Sequence, residues 1–156
     1  MAVVVHASEI QPVSEHELRE WSSRLCNPKS SLVERSRALW GLRHAKELLA
    51  CQLIGQFICR HVPPDPVAND LLQHEAAYCL GQRGNLAAID DLMTVVREVR
   101  HSPIVRHEAG EALAAIAGCA SPAERARIRE LLETYKSCDV VEVRDANAMC
   151  QAWVCL

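Results

Sequence analysis

At 156 residues, the chain is long enough to form one domain with a buried core. Alanine and leucine dominate its apolar residues and aromatic residues are few, a composition that favours closely packed helices. The formal net charge of −3 argues against a nucleic-acid-binding protein, because such proteins usually present a strongly basic face.

The eight cysteines are scattered and form no Cys-x-x-Cys pair, so a disulfide framework is not predicted. The N-terminal stretch MAVVVHASEI has a short apolar run without a basic leader, which is untypical of a signal peptide. No apolar run in the sequence reaches the length of a membrane span. We therefore expect a cytoplasmic protein with free thiols and without a membrane partner.

Two helix starts are marked by a serine that is followed three residues later by a glutamate. Ser14 with Glu17 has this capping-box pattern, and the first predicted helix begins there. Ser121 with Glu124 has the same pattern near the C-terminal end, where Pro122 suits the first turn of a helix. Both positions therefore predict helix N-termini.

Apolar residues at helical spacing predict further helices over 86–100 and 122–136. The proline-rich stretch 62–70 predicts a loop, because proline cannot continue a helix. Helix ends are expected at three glycines: Gly81, Gly84 and Gly118. The whole chain then contains about eight helices, which pair into four helical hairpins.

One sequence frame recurs along the chain. HEAAYCLG at 74–81 returns as HEAGEALA at 107–114, and in weaker form as SRALWGLR at 36–43 and VRDANAMC at 143–150. The intervals of 38, 33 and 36 residues are typical of repeats built from two helices. We predict an all-α fold, a HEAT-like α-solenoid, in one domain over 1–156. Its four helix-pair repeats are expected at approximately 14–46, 47–84, 85–118 and 119–156.

The first two positions of this frame distinguish the inner repeats from the outer ones. The inner repeats carry His-Glu there and the outer repeats carry other residues: His74-Glu75 and His107-Glu108, against Ser36-Arg37 and Val143-Arg144. The apolar positions of the frame recur in all four repeats. Packing of the helices therefore does not require His-Glu, which suggests a function for it.

The two histidines are candidate metal ligands. Asn69 and Ser102 each lie five residues earlier and suit N-caps, which places His74 and His107 just past the first turn of their helices. Second helices of neighbouring repeats pack about 8–10 Å apart, so side chains at equivalent positions can converge. Two imidazoles with an adjacent carboxylate form the ligand set that suits non-haem Fe(II).

Simpler explanations exist for each of these residues. A surface histidine beside a glutamate is common without any function, as His16-Glu17 illustrates. Tyr78 lies one turn beyond His74, where it either lines the same groove and contacts substrate or is a packing aromatic. Trp40 occupies the matching position in the first repeat. A catalytically silent HEAT-repeat module that binds a protein partner is the alternative to a metalloenzyme.

The stretches LLQHEAAYCLGQ at 71–82 and PIVRHEAGEALAAIA at 103–117 resemble the motifs of deoxyhypusine hydroxylase. RALWGLR and DVVEVRDANAMCQA extend the resemblance more loosely over nearly the whole chain. It implies a HEAT-repeat monooxygenase with a non-haem di-iron centre of Fe(2+). Such an enzyme uses O₂ to hydroxylate deoxyhypusine to hypusine in a translation initiation factor.

The resemblance also implies roles for individual residues. His74, His107 and Glu108 would ligate iron. Glu75 is a further candidate for the metal site and for catalysis, and the resemblance implies that it engages the cationic substrate chain more than the metal. A carboxylate beside a protonated amine would orient the substrate and offset the desolvation of its charge.

This chain departs from the family in having two His-Glu motifs, where typical members have four in two facing halves. One half could hold one iron, but not a complete di-iron pair. The resemblance therefore implies a homodimer, or pairing with another protein that carries the second half. A truncated homologue that folds without catalysing is the third possibility.

Overall fold

The computed structural model describes residues 12–60 and 66–154, so the N-terminal stretch and part of the proline-rich segment lie outside the described residues. All regular structure in these ranges is helical, which confirms the all-α prediction. One turn of 3-10 helix, Leu86–Ala88, precedes the fifth α-helix. The α-helices are α1 (Glu15–Cys26), α2 (Leu32–His44), α3 (Leu48–Ile58), α4 (Pro66–Arg83), α5 (Ile89–Arg97), α6 (Pro103–Ala117), α7 (Pro122–Tyr135) and α8 (Val141–Val154).

Consecutive helices pack as pairs, and the pairs stack side by side. α1 contacts α2, α3 contacts α4, α5 contacts α6 and α7 contacts α8. The second helices form one layer, in which α4 lies between α2 and α6, and α6 lies between α4 and α8. A core of buried apolar residues runs through the stack. This arrangement is that of a helical-repeat solenoid.

The described part of the chain contains seven of the eight cysteines. Its seven cysteines are all free. Burial raises the pKa of the Cys79 thiol to about 11 and that of the Cys150 thiol to about 12, so both behave as small core residues. None of the described helices combines the length and hydropathy needed to cross a bilayer.

The predicted capping serines begin their helices. The hydroxyl of Ser14 accepts a hydrogen bond from the main-chain N–H of Glu17. The box formed by Ser121 and Glu124 is complete, with hydrogen bonds in both directions. A second complete box, which was not predicted, opens α2 at Ser31. Side-chain caps of this kind satisfy main-chain N–H groups that have no partner within the helix.

The predictions for the three glycines had different outcomes. α4 ends just before Gly84, whose φ of 61° is the left-handed conformation that favours glycine. Gly118 is the C-cap of α6. The prediction for Gly81 was wrong, because this residue lies inside α4. A Cβ at Gly81 would lie 2.9 Å from the Cα of Ala112, so glycine permits the close approach of α4 to α6.

The predicted loop over 62–70 was wrong in its second half, because α4 already begins at Pro66. Proline is tolerated in the first turn of a helix, where its missing N–H would have no helical partner. Asn69 is consequently not an N-cap. It is a buried residue inside α4, and its side-chain oxygen accepts a hydrogen bond of 2.7 Å from Arg35. Ser102 is the N-cap of α6, as predicted.

A buried hydrogen-bond donor precedes the first frame position in three of the four repeats. Arg35 donates to the main-chain oxygen of Leu25 and Arg106 to that of Val96, ten residues earlier in each case. Gln73 donates to three main-chain oxygens at the end of α3, including that of Ile58. Each donor thus satisfies carbonyl groups at or near the C-terminus of the first helix in its own pair.

Candidate metal centre

The two His-Glu motifs meet at one contact between α4 and α6. The Nε2 atom of His74 lies 3.1 Å from the Oε2 atom of Glu108. The close approach of the two helices at Gly81 and Ala112 brings these side chains within reach. Glu108 is buried and His74 is partly exposed, so the pair lies at the edge of the core. This contact joins the two inner repeats.

The surroundings of Glu108 are negative. Burial raises the pKa of its carboxyl group, the nearby imidazole of His74 lowers it, and the carboxylate of Glu111 raises it further. Among the described residues, the ion pairs of Glu75, Glu108 and Glu111 are with histidine and not with lysine or arginine. Within the described part of the chain, no lysine or arginine lines the space beside Glu108 and Glu111, whereas Arg43 lines the cavity at Glu75. A metal cation would therefore offset the repulsion between Glu108 and Glu111.

His107 is held by two other oxygen atoms. Its Nε2 atom lies 3.1 Å from Oε1 of Glu111, one turn further along α6. Its Nδ1 atom lies 3.1 Å from the main-chain oxygen of Glu142, in the first turn of α8. Both ring nitrogens therefore face acceptors, whereas a neutral imidazole has only one N–H to donate. A metal ion on the Nε2 side would satisfy the remaining lone pair.

Glu75 lies on the other side of α4. Its Oε1 atom is 3.7 Å from Nδ1 of His74, and its side chain is about half exposed. It lines a cavity of about 320 Å³ between α2 and α4, together with Trp40 and Arg43. Glu75 thus contacts the same imidazole as Glu108 but faces a different space.

Tyr78 both lines a groove and packs against a neighbouring side chain. It lines a groove of about 220 Å³ between α4, α6 and α8, which Glu108 also lines. The guanidinium carbon of Arg43 lies 5.5 Å from the centre of the Tyr78 ring and 5.4 Å from that of Trp40. Tyr78 is therefore a groove residue that also packs against a cation.

Of the three predicted iron ligands, His74 and Glu108 lie together and His107 is paired with Glu111. No three metal-binding side chains converge on one point within residues 12–60 and 66–154. The donor chemistry fits a first-row transition metal, because an imidazole nitrogen of α4 and a carboxylate oxygen of α6 face each other. Glu111 was not among the predicted residues, although its spacing of four from His107 on a helix predicts contact.

Comparisons with known proteins give one consistent result. No protein-family model matches the chain. The chain is 38% identical over 133 residues to deoxyhypusine hydroxylase of Bos taurus. The matched region covers 85% of this chain and 39% of the bovine protein. The chain is also 35% identical over 137 residues to the Drosophila melanogaster protein of the same name, with 88% and 41% covered.

A solved structure of the same family also matches the fold of this chain. The structure of human deoxyhypusine hydroxylase in complex with glycerol has a TM-score of 0.74 and 35% sequence identity to this chain. That match covers 89% of this chain and 43% of the human chain. The chain thus spans about two fifths of the length of the relatives that it matches.

Proposed function

This chain is a homologue of deoxyhypusine hydroxylase over 85% of its length, and we propose that it supplies one half of the iron centre of a deoxyhypusine monooxygenase. One observation carries the proposal: the contact of 3.1 Å between His74 and Glu108. It places the imidazole of one motif against the carboxylate of the other, which is where two motifs can share a metal ion.

In this proposal, His74 through Nε2 and Glu108 through its carboxylate hold a non-haem iron, with His107 as the third ligand. His107 joins them by turning its ring away from Glu111, and its Nδ1 contact with the oxygen of Glu142 keeps the Nε2 lone pair available. The chemistry supplied by bound iron is the activation of O₂ for insertion of one oxygen atom into a C–H bond.

Glu75 has the second role in the proposal. Its carboxylate is about half exposed beside His74, so it can pair with a protonated amine of the substrate chain and still lie near the metal ligands. Such a pair would orient the chain and offset the desolvation of its charge. The proposed substrate is the deoxyhypusine side chain of a translation initiation factor.

A complete di-iron centre requires a second half. We propose that two chains associate face to face through the layer of α2, α4, α6 and α8, or that another protein supplies the second pair of motifs. A twofold dimer would place the His74–Glu108 pair of one chain opposite the same pair of the other. The iron ligands would then come from both halves.

The test is the iron content per chain, measured together with the native mass, on protein purified without a chelator in reducing buffer. We expect one iron per chain in a dimer, and hydroxylation of deoxyhypusine that depends on iron and O₂. The control is the double variant His74→Ala, His107→Ala, which should lose iron while its helix content by circular dichroism stays unchanged. A metal-free preparation that hydroxylates equally fast would refute the proposal.

The alternative is a HEAT-repeat module that binds a protein partner without catalysis. The observation in its favour is the pairing of His107 with Glu111, which leaves the three predicted ligands unassembled. On this alternative, neither the wild-type chain nor the double histidine variant would contain iron. The two forms would also bind a protein partner equally well.

A further inference from the structure

The cavity between α2 and α4 has one positively and one negatively charged side chain in its wall, and these do not pair with each other. Arg43 and Glu75 both line this space of about 320 Å³, and leucine side chains form much of the remainder. The ion pair of Glu75 is with His74, and Arg43 has none within the part of the chain that the structure describes. Two opposite charges held apart in one cavity are complementary to a ligand that carries both charges.

Aromatic rings hold Arg43 in place. Its guanidinium carbon lies 5.4 Å from the centre of the Trp40 ring, one turn earlier on α2, and 5.5 Å from that of Tyr78 on α4. At these distances the faces of both rings attract the cation. Rings position a guanidinium group without using its N–H donors, and no described oxygen atom accepts a hydrogen bond from Arg43. The group is therefore positioned and still able to bind an anion.

Other arginines in the layer of second helices already have acceptors. Arg83 and Arg106 each donate to main-chain oxygens. Arg43 is partly exposed, and its neighbour Trp40 is 61% exposed, so the cavity is open to solvent at this end. Because a guanidinium group matches the two oxygens of a carboxylate, Arg43 suits a carboxylate that comes from outside the chain.

We propose that Arg43 binds a carboxylate of the protein substrate, beside the amine for which Glu75 is the proposed partner. The carboxylate belongs to an aspartate or glutamate close in sequence to the modified side chain of that substrate. Trp40 and Tyr78 are positioning residues, because they hold the guanidinium group at the cavity. The place of the amine rests on the proposed function, whereas the carboxylate site rests on the geometry of Arg43.

Glu75 makes binding of the two ligand charges cooperative. A carboxylate alone would enter a cavity that Glu75 also lines, and repulsion between the two carboxylates would weaken its binding. An ammonium group on the same ligand neutralises Glu75 and removes that repulsion. Arg43 should therefore favour an acidic peptide most strongly when the peptide also carries the amine.

The test is the affinity of the full chain for short glycine–serine peptides, measured by fluorescence anisotropy. Each peptide carries one deoxyhypusine and one aspartate, at increasing separations in the series, and its matched peptide carries asparagine in place of aspartate. At the best separation, we expect the aspartate peptide to bind about tenfold more tightly, as one charge-assisted bidentate pair would produce. Replacing deoxyhypusine by norleucine should reduce this preference, because Glu75 is then not neutralised.

Variants of two arginines on α2 identify the residue that causes the preference for aspartate. Arg43→Gln should abolish the preference and bind the asparagine peptide at least as well as the wild type, which shows that the variant is folded. Arg37→Gln is the matched control, because Arg37 is exposed on the same helix and lies outside the cavity, and it should retain the full preference. Arg43→Lys should retain only a minor part, since lysine keeps the charge without the planar pair of donors.

Three results would overturn the proposal. The first is the absence of any preference for aspartate in the wild type at every separation, whether or not the peptides bind. The second is an equal loss of the preference in Arg37→Gln and Arg43→Gln, which would assign it to the general charge of α2. The third is a full preference in Arg43→Lys, because the planar guanidinium group held by the rings would then be irrelevant.

The outcome is separable from that of the proposed function. If the chain contains no iron and hydroxylates nothing, but prefers the aspartate peptide in a manner that depends on Arg43, the carboxylate site stands and the monooxygenase proposal fails. If iron and hydroxylation are present and the aspartate and asparagine peptides bind equally well, the carboxylate site fails alone.

Discussion

The two His-Glu motifs have the same sequence and equivalent positions in their repeats, yet their side chains have different partners. His74 reaches the neighbouring helix and contacts Glu108, whereas His107 contacts Glu111 on its own helix and a main-chain oxygen of α8. Glu108 is buried, while Glu75 is about half exposed. The environment of each motif is therefore decided by the neighbouring repeats and not by the dipeptide.

The direction of the side chains explains this difference. Each histidine points toward the second helix of the following repeat, and each glutamate toward that of the preceding repeat. The matching positions in the outer helices hold Ser36 in α2 and Arg144 in α8. A contact between histidine and glutamate across two helices therefore requires two adjacent repeats that carry the motif, and the described chain has one such junction.

The largest expected effect is a difference in metal binding between variants of Glu108 and Glu75. Glu108→Gln should weaken binding of Co²⁺ by about 100-fold, because an amide is a poor substitute for a ligating carboxylate. Glu75→Gln should leave Co²⁺ binding nearly unchanged, because Glu75 faces a different cavity. Titration of both variants with Co²⁺, followed by absorption spectroscopy, measures the difference. Equal losses in the two variants would show that the motifs are equivalent after all.

A smaller effect is expected from separating the two helices that carry the motifs. Gly81→Val should lower the free energy of unfolding by about 1–3 kcal/mol, because the new side chain meets the main chain of Ala112 and α4 must move away from α6. Gly118→Ala is the control, since its Cβ would meet nothing closer than 3.8 Å. Urea denaturation measures both. A neutral Gly81→Val variant would contradict the close packing at this junction.

The smallest effect comes from building the missing partner of Glu75. Ser36 and Glu75 line the same cavity between α2 and α4. Ser36→His should therefore create an exposed contact between the new imidazole and the carboxylate of Glu75, which stabilises the fold by about 0.2–1 kcal/mol. A double-mutant cycle with Glu75→Gln isolates this energy. A coupling energy of zero would mean that a histidine at position 36 does not point from α2 toward α4, as His74 points from α4 toward α6.

The helices themselves were largely predictable from local sequence. Ser14 and Ser121 begin helices because a hydroxyl that accepts from the N–H three residues later is a local arrangement. Errors arose where a residue that usually ends or precedes a helix serves tertiary packing. Gly81 allows two helices to approach, and Asn69 accepts a hydrogen bond from an arginine 34 residues away.

The sequence brought attention to His74 and Glu108, which the structure places in contact, but it did not predict the partners of His107. The repeat frame identified His74 and His107 as equivalent, and equivalence suggested that both would converge on one carboxylate. Which oxygen atom each ring meets depends on residues of the neighbouring helices, such as Glu142, that the frame leaves variable. Glu111 was overlooked because its partner lies on the same helix and outside the His-Glu motif.

The buried donors Arg35, Gln73 and Arg106 make each of the first three helix pairs a transferable module. They bind main-chain oxygens of the first helix in their own pair, so these bonds do not depend on which side chains that helix carries. A duplicated copy of residues 85–118, inserted after its original, would bring its own donor. Because it would also bring a His-Glu motif, the lengthened chain would gain a second junction of the kind formed by His74 and Glu108.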